Sequence, residues 1–560
     1  MTDQPVPRGY GAALLDRLVG WMNNLPPETC SYTTTPVEIP LEGEDGIHLL
    51  GNLHRPVTKG GEPAAGTILM LCIYGRQLPE ALTSRVFPPR GYNVLLVSTR
   101  GTFGSGGKMD PARTDVADGP RVVRWMRRQP WYTGTFATMG ASFLGFTQWA
   151  LMGSDDPLDD MVAAVPTASP HDFSRLVWGT GALWLACVDW AYGTTVQESA
   201  SAFRRIYSAA TADSQGLIEV KRHLPLVDGA MARLGDKTPW LYEWMTRPNW
   251  ENDAFYEPMR QDKALDTTKA AILLSGGWQD VFMIDTMEQY QRLNERGCTV
   301  AMTIGPWNHL QAVNGKGVMK ETLAWFDKYL AKRETGGIRP APVRINVTGV
   351  NEWRWLPIWP PATKPLELHL GSQGLLGKEQ TEKTDESSFV FDPHNPTPTI
   401  GGSLLFGGGT ANDTGLAKRP DILSFTTAPL DYDVEVLGKP RIEITHSSDN
   451  PHVDLFVRVS EVNAKGVSHN ITELYKRLDP GRASAGQPIK IKLDLADCAH
   501  RFIKGTAVRL LVAGANFPHY SYNLGSGENP GTGTTLRPAR HSVHFGANSG
   551  SKLVLPVSLE

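Results

Sequence analysis

A serine stands between two glycines where an apolar run changes into a helix-like pattern, in "ATMGASFLGFTQWALMG", residues 137–153. Ser142 follows a predicted strand and precedes a predicted helix, which is the context of a nucleophile elbow, where the neighbouring residues must be small. The spacing is G-x-S-x-x-G rather than the common G-x-S-x-G. The pattern alone therefore leaves two interpretations open, a nucleophilic serine and a plain turn between strand and helix.

A serine nucleophile requires a base, and the base requires an orienting acid, because a free serine hydroxyl is barely ionised at neutral pH. In an α/β-hydrolase the acid precedes the histidine, and both follow later strands. Asp280 comes directly after "AILLSGGW" and His309 directly after "VAMTIGPWN". Each alone is typical of a turn or cap residue, but the ordered triple Ser142, Asp280 and His309 predicts catalysis.

The elements that must position these residues can be read from the sequence. Up to residue 170, short apolar runs alternate with helical patterns. Continuous apolar strands separated by helices favour a parallel sheet covered on both faces. Two more runs, at 271–283 and 298–310, indicate that the same sheet resumes after a helical gap. Beyond the helix predicted at 322–334, short segments with period-two alternation are typical of an antiparallel sandwich or jelly roll.

These patterns predict an α/β domain whose strand ends carry the triple in the order of an α/β-hydrolase, with an inserted helical cap and a C-terminal antiparallel sandwich or jelly roll. The boundaries that we predict are 1–170 for the first part of the hydrolase domain, 171–262 for the cap, 263–358 for the second part and 359–560 for the jelly roll.

Composition limits the partners and the compartment. The net charge of −3 lacks the basic excess of a nucleic-acid binder. The five cysteines are scattered, without a C-x-x-C pair that would indicate a metal or redox site. The N-terminus does not resemble a signal peptide, and no run of about 18 apolar residues indicates a membrane span. We expect a cytoplasmic protein that needs no metal or cofactor and acts on a small molecule, with a homo-oligomer possible.

The segments "GASFLGFTQW", "GGWQDVF" and "GPWNH" resemble the cocaine-esterase-like (CocE/NonD) hydrolases, relatives of X-Pro dipeptidyl-peptidases and α-amino acid ester hydrolases. Further similar stretches, from "QPWYTG" to the late "FPHYSYNLGSG", extend the resemblance over nearly the whole chain. The resemblance implies the fold class that we predict, an α/β-hydrolase domain with an inserted helical cap and a C-terminal β jelly-roll domain. It also implies that Ser142 is the nucleophile, His309 the general base and then acid, and Asp280 the residue that orients the imidazole.

The resemblance further implies an oxyanion hole made by the Phe143 backbone N–H and the hydroxyl of Tyr74. Phe282, Trp178 and Trp190 match positions where the family lines its acyl pocket with aromatic rings. For the two tryptophans, pocket and core remain equally open, because aromatic side chains also fill ordinary cores. Acidic cap residues such as Asp189 could bind a substrate ammonium, but no convincing carboxylate cluster is visible, which favours a neutral ester.

The chain also departs from the family pattern. Ser98 stands where the family has the aspartate of its D-x-R-G stretch, which puts a salt bridge to Arg100 in doubt. Ile73 and Arg76 flank Tyr74 in place of proline and lysine. The loop "RGTFGSGG" resembles a phosphate-binding glycine loop but fits neither standard pattern, so a structural turn is favoured.

The function predicted from these residues is a serine hydrolase that cleaves a carboxylic ester through an acyl-enzyme. An amide or peptide hydrolase, of the β-lactam acylase or X-Pro peptidase type, and an acyltransferase use the same residues and stay open. A non-catalytic binding protein on a hydrolase scaffold is the alternative from another class.

Overall fold

The computed structural model describes residues 4–77, 80–198, 216–334, 339–478, 486–547 and 549–559. Among these residues, eleven strands form the first sheet: β1 (Val6–Pro7), β2 (Ser31–Pro40), β3 (His48–Val57), β4 (Thr67–Cys72), β5 (Asn93–Ser98), β6 (Phe136–Ala141), β7 (Met161–Thr167), β8 (Ala271–Gln279), β9 (Val300–Asn308), β10 (Val343–Val347) and β11 (Glu352–Leu356). Their order across the sheet is β1-β2-β3-β5-β4-β6-β7-β8-β9-β10-β11.

The helices of the described residues are α1 (Tyr10–Met22), α2 (Glu80–Arg85), α3 (Asp115–Arg127), α4 (Phe143–Met152), α5 (Phe173–Trp178), α6 (Ala186–Val196), α7 (Leu217–Arg222), α8 (Leu226–Leu234), α9 (Pro239–Thr246), α10 (Asp262–Thr267), α11 (Met283–Glu295), α12 (His309–Val313) and α13 (Val318–Tyr329). None of these helices has the length and apolar composition of a membrane span.

Strands β4 to β10 pair in parallel, and both faces of this part of the sheet are covered. Side chains of a strand point alternately to opposite faces. Leu69 and Leu71 of β4 accordingly join a core with α3, α4 and α11, whereas Ile68 and Met70 join a second core with α13. Burial on both faces explains why these strands read as continuous apolar runs in the sequence.

Along the chain, helices α5 to α10 come between β7 and β8, and they include the segment predicted as a cap. Residues 199–215 of that segment fall outside the described residues. Trp190 of α6 lies at the centre of an aromatic cluster that joins these helices to the sheet. Its ring lies 5.2 Å from that of Trp240, 6.0 Å from that of Trp244 and 5.6 Å from that of Phe143 on α4.

The rest of the chain forms a second sheet of thirteen strands among the described residues: β12 (Thr363–Gly371), β13 (Leu375–Gly377), β14 (Asp385–Phe391), β15 (Ile422–Thr426), β16 (Val434–Gly438), β17 (Arg441–Ser448), β18 (Asp454–Val462), β19 (Ser468–Arg477), β20 (Ile489–Asp494), β21 (Cys498–Phe502), β22 (Ala507–Ala513), β23 (Ala539–Phe545) and β24 (Lys552–Ser558). Its strand pairs are antiparallel except β13 with β15. Alternate side chains, such as Leu455, Val457 and Val459 of β18, fill one apolar core.

Two histidines buried in this second sheet predict sensitivity to acid. Nε2 of His446 and Nδ1 of His541 lie 3.1 Å apart, and burial lowers the pKa of His446 to about 4 and that of His541 well below its usual value. A histidine whose pKa is lowered by folding stays neutral in the folded protein while the unfolded chain takes up a proton. The stability is therefore full above the unfolded pKa and falls as the pH drops from the unfolded pKa to the folded pKa.

The free energy of unfolding should therefore decrease by about 2 kcal/mol through His446 alone between about pH 7.5 and about pH 5. Urea unfolding at the two pH values measures it. The variant His446→Gln, which cannot take up a proton, should lose less stability over this range. An equal loss in the variant and the wild type would contradict the assignment.

Candidate active site

Ser142 lies in the sharp turn between β6 and α4. Its backbone has φ 58° and ψ −124°, a conformation that residues other than glycine rarely adopt. The turn is held by hydrogen bonds from Ser142 N to Thr167 O of β7, at 2.9 Å, and from Gly145 N to Ser142 O, at 2.8 Å. The side chain is half-buried, so its hydroxyl stands at the carboxyl edge of the parallel strands.

Two close approaches account for the offset glycine spacing around Ser142. A Cβ atom on Gly140 would lie 2.4 Å from Cβ of Leu144, and one on Gly145 would lie 2.2 Å from Cβ of Ser169. The second glycine therefore stands where α4 presses against the loop that follows β7. The sequence contains no local signal for this contact, since Ser169 lies on a different strand end.

His309 is the first residue of α12 and lies directly beside Ser142. Its Nε2 is 3.1 Å from Ser142 Oγ, and its Nδ1 is 2.9 Å from Oδ1 of Asp280. Because a carboxylate only accepts hydrogen bonds, Nδ1 carries the proton, and Nε2 is left to accept from the serine hydroxyl. Asp280 is fully buried and His309 nearly so. The structure thus brings together the three residues that the sequence predicted as nucleophile, acid and base.

Trp190 connects the two predicted oxyanion donors, Tyr74 and Phe143. Tyr74 follows β4, the neighbour of β6, so both strand ends lie at the same edge. The Trp190 indole Nε1 donates to the Tyr74 hydroxyl at 3.1 Å, and the Trp190 ring stacks on Phe143 at 5.6 Å. The Phe143 N–H is the first of α4 and has no acceptor within the helix. The bond between Trp190 and Tyr74 is a contact that sequence patterns did not indicate.

The other two predicted pocket residues lie in different surroundings. The Phe282 ring meets the His309 imidazole edge-on at 5.1 Å, and the Phe282 N–H donates to Asp280 Oδ1 at 3.3 Å. Trp178 is fully buried, and its indole donates to the backbone carbonyl of Trp244 at 2.7 Å. Phe282 therefore contacts the candidate catalytic residues directly, whereas Trp178 contributes to the cap core.

Asp189, the acidic cap residue considered for ammonium recognition, forms a buried ion pair. Its Oδ2 accepts from Nζ of Lys221 at 2.7 Å, and both side chains are almost fully buried. The Lys221 ammonium compensates the buried charge of the Asp189 carboxylate, which is the role that a substrate ammonium would have at this position.

The departures from the family pattern lie beside one another in the structure. Arg76 donates to Ser98 Oγ at 2.5 Å, so the arginine that replaces the family lysine contacts the serine that replaces the aspartate. Arg100 pairs instead with Asp118, at 2.7 and 2.8 Å. The glycine loop 100–107 is closed by its own bonds, such as Gly101 N to Gly106 O at 3.0 Å, which agrees with a structural turn.

One group of possible metal ligands lies outside these residues. Among the described residues, His171, Asp262 and Glu288 each bring a ligand atom within 4.8 Å of the others. Both carboxylates pair with arginine, since Arg292 contacts Asp262 and Glu288 and Arg175 contacts Glu288. These guanidinium groups supply the positive charge that a cation would supply, which favours an ion-pair network.

Comparison with known families matches two domain models to the chain. The model described as X-Pro dipeptidyl-peptidase (S15 family) matches residues 45–311, and that of the X-Pro dipeptidyl-peptidase C-terminal non-catalytic domain matches residues 336–554. Among curated proteins, the chain is similar to cocaine esterase of Rhodococcus sp. (strain MB1 Bresler), with 25% identity over 92% of this chain and 96% of that protein.

Two solved structures share the fold over nearly their whole length. An aminopeptidase from the marine sediment archaeon Thaumarchaeota archaeon superposes with a TM-score of 0.78 at 20% identity, covering 95% of this chain and 97% of that one. An α-amino acid ester hydrolase superposes with a TM-score of 0.77 at 20% identity, covering 94% and 97%. The predicted fold class, an α/β-hydrolase domain followed by an all-β domain, is confirmed.

The contact between Gly145 and Ser169 leads to a prediction about the elbow. In Gly145→Ala the new methyl group overlaps Ser169, so we expect a loss of about 1–3 kcal/mol in unfolding free energy and a lower kcat on an ester. Calorimetry and steady-state kinetics measure both. Gly193→Ala in α6, where a Cβ meets nothing within 4 Å, is the matched control. Adding Ser169→Gly should restore part of the loss; wild-type stability and kcat in Gly145→Ala would contradict this packing argument.

The bond from Trp190 to Tyr74 leads to a second prediction. Trp190→Phe keeps an aromatic ring over Phe143 but removes the indole N–H that donates to the Tyr74 hydroxyl. If the Tyr74 hydroxyl is the predicted oxyanion donor, we expect kcat for a neutral ester to fall about tenfold while KM changes less, because misplacing such a donor weakens transition-state binding. Trp240→Phe, in the same cluster, is the control, since its indole N–H has no hydrogen-bond partner among the described residues. An equal kcat in both variants would argue against this role of Trp190.

Proposed function

The chain belongs to the serine hydrolases that join an S15-type α/β domain to the C-terminal X-Pro dipeptidyl-peptidase domain, and we propose that it cleaves a carboxylic ester through an acyl-enzyme. The observation that carries the proposal is the chain of contacts from Asp280 to His309 to Ser142, at 2.9 and 3.1 Å, with Ser142 in a strained elbow. This arrangement is the one by which a serine hydroxyl becomes a nucleophile at neutral pH.

In the proposed reaction Ser142 Oγ attacks the ester carbonyl while His309 Nε2 takes the hydroxyl proton. Asp280 accepts from Nδ1, which holds the ring in this orientation and stabilises the imidazolium. The tetrahedral intermediate collapses, His309 donates the proton to the leaving alkoxide, and the alcohol departs. Water, deprotonated by His309, then attacks the acyl-enzyme, and the carboxylic acid is released as Ser142 regains its proton.

The oxyanion that forms during both attacks needs two donors. We assign this role to the Phe143 N–H at the start of α4 and to the Tyr74 hydroxyl. The positive end of the α4 dipole adds to the stabilisation. In mutagenesis of other hydrolases, removing one such donor costs about 100- to 1000-fold in kcat.

The cap supports a neutral substrate with an apolar acyl group. Aromatic rings border the elbow, with Trp190 over Phe143 and Phe282 against His309. The Asp189 carboxylate is already paired with Lys221. An ammonium group that bound Asp189 would have to displace this buried lysine, so Asp189 favours a neutral ester over an aminoacyl substrate.

A panel of p-nitrophenyl esters, aminoacyl esters and X-Pro p-nitroanilides tests the proposal. We expect the neutral esters to give the highest kcat/KM, and Ser142→Ala to reduce it at least about 1000-fold. Lys221→Met, which removes the lysine ammonium beside Asp189, should raise the relative rate on aminoacyl esters. A faster reaction on X-Pro anilides than on any ester would contradict ester specificity, and full activity of Ser142→Ala would contradict the whole mechanism.

A further inference from the structure

The residue before each of two candidate catalytic residues touches the all-β domain. Gln279, the last residue of β8, precedes Asp280 and is almost fully buried. Its side-chain Nε2 donates to the backbone carbonyl of Ile471 at 2.6 Å, and its Oε1 accepts from Nδ2 of Asn470 at 3.3 Å. Both hydrogen-bonding ends of one side chain thus join the end of β8 to strand β19 of the second sheet.

Asn470 is itself fixed on the all-β side. Its Oδ1 accepts from the backbone N–H of Ala411 at 2.7 Å, and its Nδ2 also donates to the carbonyl of Gly409 at 3.2 Å. Asn470 is 1% exposed and lies in β19, which pairs with β18 along its length. The bridge therefore ends at a buried residue of a paired strand in the second sheet.

The boundary between the two sheets, where Gln279 meets Asn470 and Ile471, also reaches the end of β9, which precedes His309. Gln279 is the register partner of Asn308, the residue before His309. Asn308 caps α12, with its Oδ1 accepting from Gln311 N at 3.0 Å and its N–H donating to Gln311 Oε1 at 3.1 Å. The Gly409 backbone packs on Asn308, since a Cβ on that glycine would lie 3.6 Å from it. The all-β domain thus borders both strand ends.

Close packing does not account for this positioning. A cavity of about 220 Å³ opens along the boundary between the two sheets, and Gln279, Asn470 and Ile471 are among the residues that line it. Where packing is incomplete, dispersion contacts constrain a strand end weakly. The directional hydrogen bonds between the buried amides therefore add a constraint to the pairing of β8 with β9, and leaving either amide unpaired carries a desolvation cost.

We propose that Gln279 and Asn470 are positioning residues, through which the all-β domain holds Asp280 and His309 in register with Ser142. This inference rests on the proposed function. It gives a domain whose family description is "non-catalytic" a part in the reaction, without any contact to substrate. The amide bridge acts on the orientation of the Asp280 carboxylate, and hence on the imidazole that takes the serine proton.

The test compares Gln279→Met, which keeps an unbranched side chain but removes both hydrogen bonds, with wild-type protein on a p-nitrophenyl ester. We expect kcat to fall about 10- to 100-fold with KM nearly unchanged, because small misplacements of catalytic groups reduce the chemical step. Asn470→Ser should give a fall of similar size. The double variant should be no worse than the more impaired single variant, since the pair acts as one unit.

Asn93→Ala is the matched control. Asn93 is a buried amide whose Nδ2 donates to the Trp131 carbonyl at 2.9 Å, at the opposite end of the parallel strands. The Asn93→Ala variant should have a lower thermal unfolding midpoint than the wild-type protein and an unchanged kcat. A Gln279→Met protein that is folded and shows wild-type kcat, or multiplicative losses in the double variant, would overturn the proposal. The Ser142→Ala variant separates this failure from failure of the proposed function. Full turnover in Ser142→Ala would contradict the proposed function, whereas loss of turnover in Ser142→Ala with wild-type kcat in Gln279→Met would contradict only the positioning role.

Discussion

The parallel pairing of β6, β7, β8 and β9 is the constraint on which the rest of the structure depends. It brings the carboxyl ends of these strands to one edge, so that Ser142, Asp280 and His309 meet although 167 positions separate the serine from the histidine. This part of the sheet is buried on both faces, and the strained Ser142 backbone is tolerated because the surrounding hydrogen bonds fix the turn.

The edge of the sheet is completed by elements that are distant in sequence. The cap supplies Trp190, which stacks on Phe143 and donates to Tyr74. The all-β domain supplies Asn470 and Ile471, which hold Gln279 beside Asp280. The site is thus enclosed by three parts of the chain, and each part fixes a different element of the proposed chemistry: the oxyanion donors, the acid and base, and the nucleophile.

Much of this arrangement could be predicted from the sequence. Strands β4, β6, β8 and β9 coincide with apolar runs, because strands buried on both faces have continuous apolar sequences. Ser142, Asp280 and His309 each come directly after one of these runs, so their positions at strand ends could be predicted. The position of the second glycine could not be explained from the sequence. Gly145 is required because its Cα lies against Ser169, which belongs to the loop after another strand. The bridge from Gln279 to Asn470 spans 191 positions and has no local pattern. Trp178 and Trp190 could not be told apart from the sequence, since core and pocket positions favour the same aromatic residues. Their contacts distinguish them in the structure, because Trp178 donates to the Trp244 carbonyl whereas Trp190 donates to Tyr74 and stacks on Phe143.

Covalent labelling of the nucleophile tests the central claim most directly. A fluorophosphonate probe reacts with an activated serine, and mass spectrometry of the digested protein identifies the labelled residue. The account predicts one adduct on Ser142 in the folded wild-type protein and much slower labelling in His309→Ala, because Nε2 of His309 removes the hydroxyl proton. Absence of an adduct on Ser142, or equal labelling rates in the two proteins, would contradict it.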